Sequence, residues 1–370
     1  MRNSLAQLRA KRGLGASQLA TAVGISRQTV YAIEAGTYVP NTAVSLRLAR
    51  ILETTVEEIF QLEPEERASA ETAEAVVLGD PESLPPGHPL RLCSVNGHLV
   101  AVVSELGAWG LPPSDEVLLA PIHRGKRMAN AKVKILGNSW NNPARILIAG
   151  CDPSASTLAN SMPRQDCELI IAYENSSSAL ELLHRGLVHV AGTHLEERVG
   201  GKNSLIAKMF PRNSVAVVSY AIWQEGLVVA KSNPKKISGI ADLARKNVRI
   251  ANREPGAGCR VLLDELLKEH GILAAQVKGY EQVVLGQLPA SRLVQSGAVD
   301  CCINIQATAR ALGLAFIPLT QKPYWLVARR TQLDLPPFQM LIETLSRASF
   351  RLEVEACIGY DMRTAGDRLT

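Results

Sequence analysis

The stretch VRIANREPGAGCRVLLDEL, residues 248–266, constrains this chain more than any other. It reads as a short buried strand, a loop carrying Gly256 and Gly258, and a helix with apolar residues at helical spacing. A strand that feeds a glycine loop opening a helix points several backbone N–H groups past the strand end, with the helix dipole behind them. Such a place suits an anion or an acidic small molecule. It also predicts an α/β architecture, because one such unit buries its apolar faces only against others like it.

The same alternation runs from about residue 144 to the end. ARILIAG, ELIIAY and LVHVAG read as strands, and helices are expected up to Met162 and over ALELLHRG. SVAVVSYAI, GLVVA, VDCCIN, AFIPL and YWLVARR are further strand-like runs, with helices over LGQLPASRLVQSG and IQATARALG and two more at the end. This predicts parallel sheets covered by helices and two similar lobes, whose strand-end loops face a common cleft. Three loops supply the candidate ligand-binding residues: Ser154 beside Cys151, Asp152, Ser156 and Thr157; Asn175, Ser176, Ser177 and Ser178; and Arg253, Gly256, Gly258 and Arg260. Thr193, with His194, and Asn304 to Gln306 would complete the rim. Hydroxyls and backbone N–H groups around a glycine-permitted approach hold a dehydrated oxyanion without neutralising it. Each group also has an ordinary use: serines cap helices, the arginines can pair with Glu254 or a helix end, and the glycines can simply permit the turn.

The N-terminal stretch is different in kind. Leu5 and Leu8, then Leu14, Leu19, Ala20 and Val23, give helical spacing broken by Gly13 and Gly15. Gly24 ends that helix and Ser26 caps the next, SRQTVYAIEAG, which stops at Gly36. A fourth helix through Val44, Leu48, Ile51 and Leu52 and a short fifth over VEEIF follow. In the capped helix Val30 and Ile33 face inward, while Arg27, Gln28, Tyr31 and Ala32 project outward. Arg and Gln at the start of such a helix suit the base edges of guanine and adenine. Residues 1–50 carry seven Lys/Arg against Glu34 alone, although the whole chain is only +5, and that local excess fits a polyanion.

GISRQTVYAIEAGTYVPNTAVSLRLARILETTVEEIF resembles the helix-turn-helix of the Xre/Cro/phage-repressor family. The resemblance implies a five-helix domain over residues 1–62, whose third helix enters the major groove of double-stranded DNA. It implies a homodimer, or a higher homo-oligomer, on a palindromic operator. Ser26, Arg27, Gln28, Thr29 and Tyr31 stand at the DNA-contacting positions. One departure is Gly15-Ala16, where the family has Ser or Thr and then Gln. The motifs IAGCDPS, RGLVHVAGTHL, EGLVVAKSNPKKISGIADLA and NREPGAGCRVLLDELL resemble the type II periplasmic-binding-protein fold, in the form that bacterial regulators carry behind a helix-turn-helix. The relatives there are molybdate-binding proteins. That resemblance implies a ligand domain over residues 144–370, with lobe one at 144–217 plus 322–370 and lobe two at 225–317, and crossings near Val217–Tyr220 and Pro318–Lys322.

Between the two modules, residues 63–89 are acidic and then have four prolines from Pro81 to Pro89, which is linker composition. Residues 90–143 alternate in short apolar segments around Asn96-Gly97, a hairpin signal, and form a β-rich bridge. His88, His98 and His123 are too scattered to make a metal triad. The seven cysteines have no CxxC spacing, which argues for reduced thiols, and Cys301-Cys302 in an apolar strand argues for packing. With no apolar leader in the first residues and no apolar run of bilayer length, the expectation is a cytoplasmic protein without a membrane partner. There is no GxSxG elbow, GxxxxGK[ST] loop or HExxH pair, so no catalytic residue, metal or cofactor is assigned. Asp152, His194 and Cys259 are the groups that would tempt an enzymatic reading; Arg260 at the start of the helix would lower the Cys259 pKa. The expected function is a ligand-responsive transcriptional regulator. Its ligand would be a small anion, such as a molybdate- or tungstate-like oxyanion or an anionic metabolite. A pterin or molybdenum-cofactor precursor is the alternative.

Overall fold

The computed structural model describes residues 2–36, 38–61, 72–104, 114–122, 129–136, 142–163, 167–195 and 204–369; His123 lies outside them. The chain divides into two compact units, residues 1–71 and 72–370.

The first unit is helical. It contains α1 (Leu5–Lys11), α2 (Ala16–Val23), α3 (Arg27–Glu34), α4 (Thr42–Ile51) and α5 (Val56–Ile59), framed by a short antiparallel pair, β1 (Arg2–Asn3) and β2 (Phe60–Gln61). Leu5, Leu19, Val23, Val30, Ile33, Leu48, Leu52 and Ile59 meet in one core. Ser26 caps α3 by accepting from Thr29 N at 3.0 Å, and Asn41 caps α4 by accepting from Val44 N at 2.9 Å. At the Gly15 departure, α2 is capped from inside: Gln18 Oε1 accepts from Gly15 N at 2.7 Å. Arg9 ties α1 to α3 through a 2.6 Å ion pair with Glu34.

The second unit begins with a closed five-stranded barrel of β3 (Thr72–Leu78), β4 (Pro89–Val95), β5 (His98–Val103), β6 (Glu116–Pro121) and β7 (Asn130–Ile135), in the order β3-β5-β4-β6-β7. This corrects the linker reading of residues 63–89, since β3 lies inside that range and is needed to close the barrel. The prolines from Pro81 to Pro89 carry the linker reading, whereas TAEAVVL before them pairs on both sides as β3. Asn96 and Gly97 both have positive φ, 50° and 81°, and turn β4 into β5 with Val95 opposite His98.

The barrel packs on the α/β region that follows it. Cys93, Val95, Val100 and Val102 share a core with Leu147, Ile170, Leu180 and Leu183. A buried charge cluster reinforces the seam: Arg145 Nη1 and Nη2 donate to Asp115 at 2.8 and 2.9 Å, and Arg91 Nε donates to the same carboxylate at 3.0 Å. Burial alone would raise the Asp115 pKa, but the bonds from Arg145 and Leu92 N and the Arg91 charge bring it down to about 2.

Beyond the barrel lie β8 (Arg145–Gly150), α6 (Ala155–Ser161), β9 (Glu168–Tyr173), α7 (Ser176–His184), β10 (Val190–Thr193), α8 (Leu205–Met209) and the long β11 (Val215–Val229). Then come β12 (Ile250–Arg253), α9 (Gly258–Glu269), β13 (Val283–Val284), α10 (Gln287–Gln295), β14 (Cys301–Ile305), α11 (Gln306–Ala311), the long β15 (Ala315–Arg329), α12 (Pro336–Ser346), α13 (Ala348–Glu355) and β16 (Tyr360–Asp361). One sheet runs β13-β12-β14-β11-β15-β10-β8-β9, with β16 added on β11. Each lobe is parallel at its outer part, through β8–β9 and β8–β10 or β12–β13 and β12–β14. The centre is antiparallel, which differs from the purely parallel expectation. SVAVVSYAI and GLVVA are one 15-residue strand, as are AFIPL and YWLVARR, and the two pair along their length. These strands are the two crossings between lobes. Their register shifts at Ser219/Ala221 and again at Glu225/Gly226, so β11 is bent near its middle.

Candidate functional site: an exposed helix and a buried cleft

On α3, Ser26, Arg27 and Gln28 are exposed, Thr29 is half-buried and Tyr31 is 46% exposed, while Val30 and Ile33 lie in the core. Ser26 is occupied with the cap and with Thr29 Oγ1 at 2.8 Å. Arg27 donates to Tyr31 OH at 3.0 Å, with its guanidinium 5.4 Å from the ring centroid. Arg27, Gln28 and Tyr31 therefore form a solvent-facing polar row along one face of the helix.

In the second unit, three elements bring the candidate ligand residues together. Asn175 caps α7 by accepting from Ser178 N at 2.9 Å, leaving Ser176 and Ser177 at the helix mouth. Ser177 N donates across to Gly256 O at 3.4 Å, which joins the lobe-one loop to the lobe-two loop. Gly256 has φ +88°, and a Cβ there would stand 3.0 Å from Ser177 Cβ, so the close approach needs glycine. Gly258 opens α9, and a Cβ on it would sit 1.8 Å from His194 Nε2. The His194 ring lies against that backbone. Its Nδ1 is 3.3 Å from Ser176 Oγ, which also accepts from His194 N at 3.3 Å.

Other candidates are engaged elsewhere. Ser154 Oγ donates to Asp152 Oδ1 at 2.6 Å and lies 2.6 Å from Tyr220 OH, with Tyr360 OH donating to the same aspartate oxygen at 3.0 Å. Burial lifts the Asp152 pKa to about 6 against those bonds. Thr193 is fully buried and accepts from Leu195 N at 3.4 Å. Arg253 is buried and forks onto Glu254 with two 2.8 Å bonds; its charge nevertheless reaches Cys151, His194, Glu225 and Cys259. Arg260 turns outward, stacking 4.0 Å over the Tyr280 ring and pairing with Asp264 at 3.3 Å. Asn304 is spent on Gln287 O and Ser291 Oγ, each at 2.8 Å.

The residue that the sequence reading missed is Glu225. It is 1% exposed, sits on the bent β11, and lies 3.4 Å from His194 Nε2 and 3.6 Å from Cys259 Sγ. Burial raises its pKa to about 7, against Cys259, Lys322 and Arg253. Burial lowers that of His194 to about 3, helped by Arg253 and Lys322. The His194–Glu225 contact is thus not an ion pair at neutral pH. Burial, with Glu225 beside it, also pushes the Cys259 thiol well above its usual value. This overturns the expected lowering by Arg260, whose guanidinium points away to Tyr280. A carboxylate amid the apolar run SVAVVSYAIWQEGLVVA was the signal that marked Glu225.

Trp223, Tyr324 and His194 form an aromatic wall, with Trp223 4.8 Å from both His194 and Tyr324 between ring centroids. Among the described residues, Trp223 Nε1, His194 Nε2 and Glu225 Oε2 are buried without a hydrogen-bond partner.

Two family models match this chain: the PBP superfamily domain over residues 158–346 and a helix-turn-helix domain over residues 2–62. YvgK of Bacillus subtilis (strain 168), described as an uncharacterized protein, is 29% identical over 224 residues, covering 60% of this chain and 72% of its own length. The HTH-type transcriptional regulator YgzD of the same organism is 40% identical over 65 residues, covering 18% of this chain and 98% of YgzD. Among solved structures, a putative phosphate ABC transporter substrate-binding protein with bound phosphate from Clostridium perfringens is similar, with a TM-score of 0.44 and 14% identity, over 58% of this chain and 97% of that one. No helix among the described residues is long and apolar enough to cross a membrane. The chain therefore belongs to the PBP superfamily domain family, joined to a helix-turn-helix domain of the transcriptional-regulator kind.

Proposed function

We propose that the chain is a one-component transcriptional regulator, in which α3 reads double-stranded DNA and a small anion held between the lobes changes how it does so. In this reading it works in the cytoplasm, as a homodimer or higher homo-oligomer on a palindromic operator, with Arg27 and Gln28 on base edges and Ser26, Thr29 and Tyr31 around them. It carries out no catalytic step. The observation that carries the reading is the meeting of two helix mouths from opposite lobes, α7 and α9, across the 3.4 Å bond from Ser177 N to Gly256 O. Both helices are long enough to present a partial positive charge there, at nine and twelve residues, and the Arg253 charge lies close by.

Ser176, Ser177, Ser178, Gly256 and Gly258 would supply donors to an oxyanion of the molybdate or tungstate kind, or to an anionic metabolite. Asn175, Ser154 and Thr193 hold the loops. A ligand that bridges the lobes favours their closed arrangement by its differential affinity, and that difference is what the DNA domain can read. A planar ligand such as a pterin or molybdenum-cofactor precursor is the second reading, favoured by the wall of Trp223, Tyr324 and His194.

Thermal unfolding with molybdate, tungstate and phosphate, set against pterins and amino acids, separates these readings. A tight ligand at saturation adds about 2–4 kcal/mol, so stabilisation by an oxyanion is expected. Stabilisation by pterins alone moves the assignment to the second reading, and none by any of them removes the anion.

A further inference from the structure

We propose that His194, Glu225 and Cys259 form a binding site for a thiophilic divalent metal ion of the Zn2+ class, which ties lobe one, the crossing strand β11 and lobe two together. The inference does not depend on the anion reading above. His194 stands at the end of β10, Glu225 on β11 and Cys259 in the first turn of α9. One donor atom from each falls within 4.8 Å of the other two, and all three residues are buried. A tetrahedral ion with bonds of about 2.0–2.3 Å keeps its ligand atoms roughly 3.3–3.8 Å apart. The observed separations of 3.4 Å for His194 to Glu225 and 3.6 Å for Cys259 to Glu225 fall in that range.

The chemistry of the set fits as well. Imidazole, carboxylate and thiolate together select Zn2+ and its neighbours over Mg2+ or Ca2+, which take oxygen donors. Among the described residues, His194 Nε2 and Glu225 Oε2 are buried without hydrogen-bond partners, which is costly for a polar group that has no other use. On the far side of the ring, Nδ1 lies 3.3 Å from Ser176 Oγ. With Nδ1 as the donor to that oxygen, the Nε2 lone pair is left free for a metal. A divalent ion with one carboxylate, one thiolate and a neutral imidazole makes a neutral group, as a buried site requires. Gly258 gives the ring room to lie against α9, since any side chain there would occupy the His194 position.

A Cys-His nucleophile is the competing use of the same residues. The geometry disfavours it, because the Cys259 thiol donates to Glu225 at 3.6 Å and makes no hydrogen bond to the imidazole. Metal binding, by contrast, displaces the thiol proton as part of the equilibrium.

The test uses the full chain, stripped with chelator and titrated with Co2+ alone. One equivalent should bind with a thiolate-to-metal charge-transfer band in the near ultraviolet. The band should be lost in Cys259→Ser and kept in Cys357→Ser, whose cysteine is exposed and not one of the three. Glu225→Gln, of the same shape, should lose the rise in melting temperature that Zn2+ gives the parent chain, and Ser176→Ala should weaken the Kd about tenfold or more. Absence of the band in the parent chain overturns the site, as does its survival in Cys259→Ser. A circular dichroism spectrum that matches the parent keeps the Cys259→Ser result interpretable. DNA binding measured in chelator reads the regulator assignment separately from this one.

Discussion

On α3 the side chains proposed to read DNA stand in water, with Arg27 and Gln28 exposed and Tyr31 at 46%. In the cleft they are inside: Ser176 and Thr193 are fully buried, Glu225 is 1% and His194 4% exposed. The first set is held by one helix, so its geometry follows from the helical period and one serine cap. The second is assembled from α7, β10, β11 and α9, which belong to two lobes. An exposed reading surface gains affinity from what it touches and contributes little to stability. A buried cleft carries both stability and recognition, so the same substitution there changes two properties at once.

The largest effect should come from the interior of the second unit. Arg145→Ala leaves the Asp115 carboxylate buried with reduced pairing and should cost about 3–5 kcal/mol, read as a drop in the melting temperature of that unit. DNA affinity of the folded protein should change little. On α3 the pattern should reverse: Arg27→Ala or Gln28→Ala should each cost about 1–3 kcal/mol of specific binding with no loss of stability. If Arg27→Ala lowered the melting temperature as much as Arg145→Ala, the comparison would break.

Gly258→Ala sharpens the contrast within the cleft. Its methyl would have to displace the His194 ring, at a cost of about 1–3 kcal/mol in packing, and both metal and oxyanion binding should weaken with it. The smallest effect at any one pH step concerns Glu116 in the barrel. It is fully buried, and among the described residues neither carboxylate oxygen has a hydrogen-bond partner. Burial, with Asp115 beside it, raises its pKa from 4.5 to about 8. Between those values the folded chain holds a proton that the unfolded chain has lost. The stability tied to that proton is complete below pH 4.5 and declines until about pH 8, by at most about 1.4 kcal/mol per pH unit. Glu116→Gln should flatten this slope, and an unchanged slope in denaturation curves across that range would contradict the assignment.

How much was legible follows from the same contrast. The α3 surface could be read because residue type and spacing along one helix place Val30 and Ile33 inward and Arg27, Gln28 and Tyr31 outward. The strand–loop–helix at residues 248–266 is legible for the same local reason, and Gly256 and Gly258 both make close approaches in the cleft. Which partners they approach was not legible. Gly258 faces His194 and Gly256 faces Ser177, contacts that depend on how two lobes close. Arg260 follows α9 outward to Tyr280, and Arg253 is claimed by the neighbouring Glu254. Glu225 escapes a reading of β11 as the two strands SVAVVSYAI and GLVVA, because it lies in the gap that ends at the Glu225–Gly226 step. In the structure that step is the second register shift of a continuous strand.

The central claim is that the state of the cleft governs how α3 holds DNA, and fluorescence anisotropy with labelled DNA from upstream of the protein's own gene tests it most directly. The chain should be titrated at low and moderate salt, with and without millimolar molybdate or tungstate. The account predicts binding that weakens with salt, as phosphate contacts require, and a Kd that shifts by at least about fivefold when the oxyanion is present, the lower bound of an allosteric coupling. No binding at low salt, or a Kd that the oxyanions leave unchanged, would contradict it.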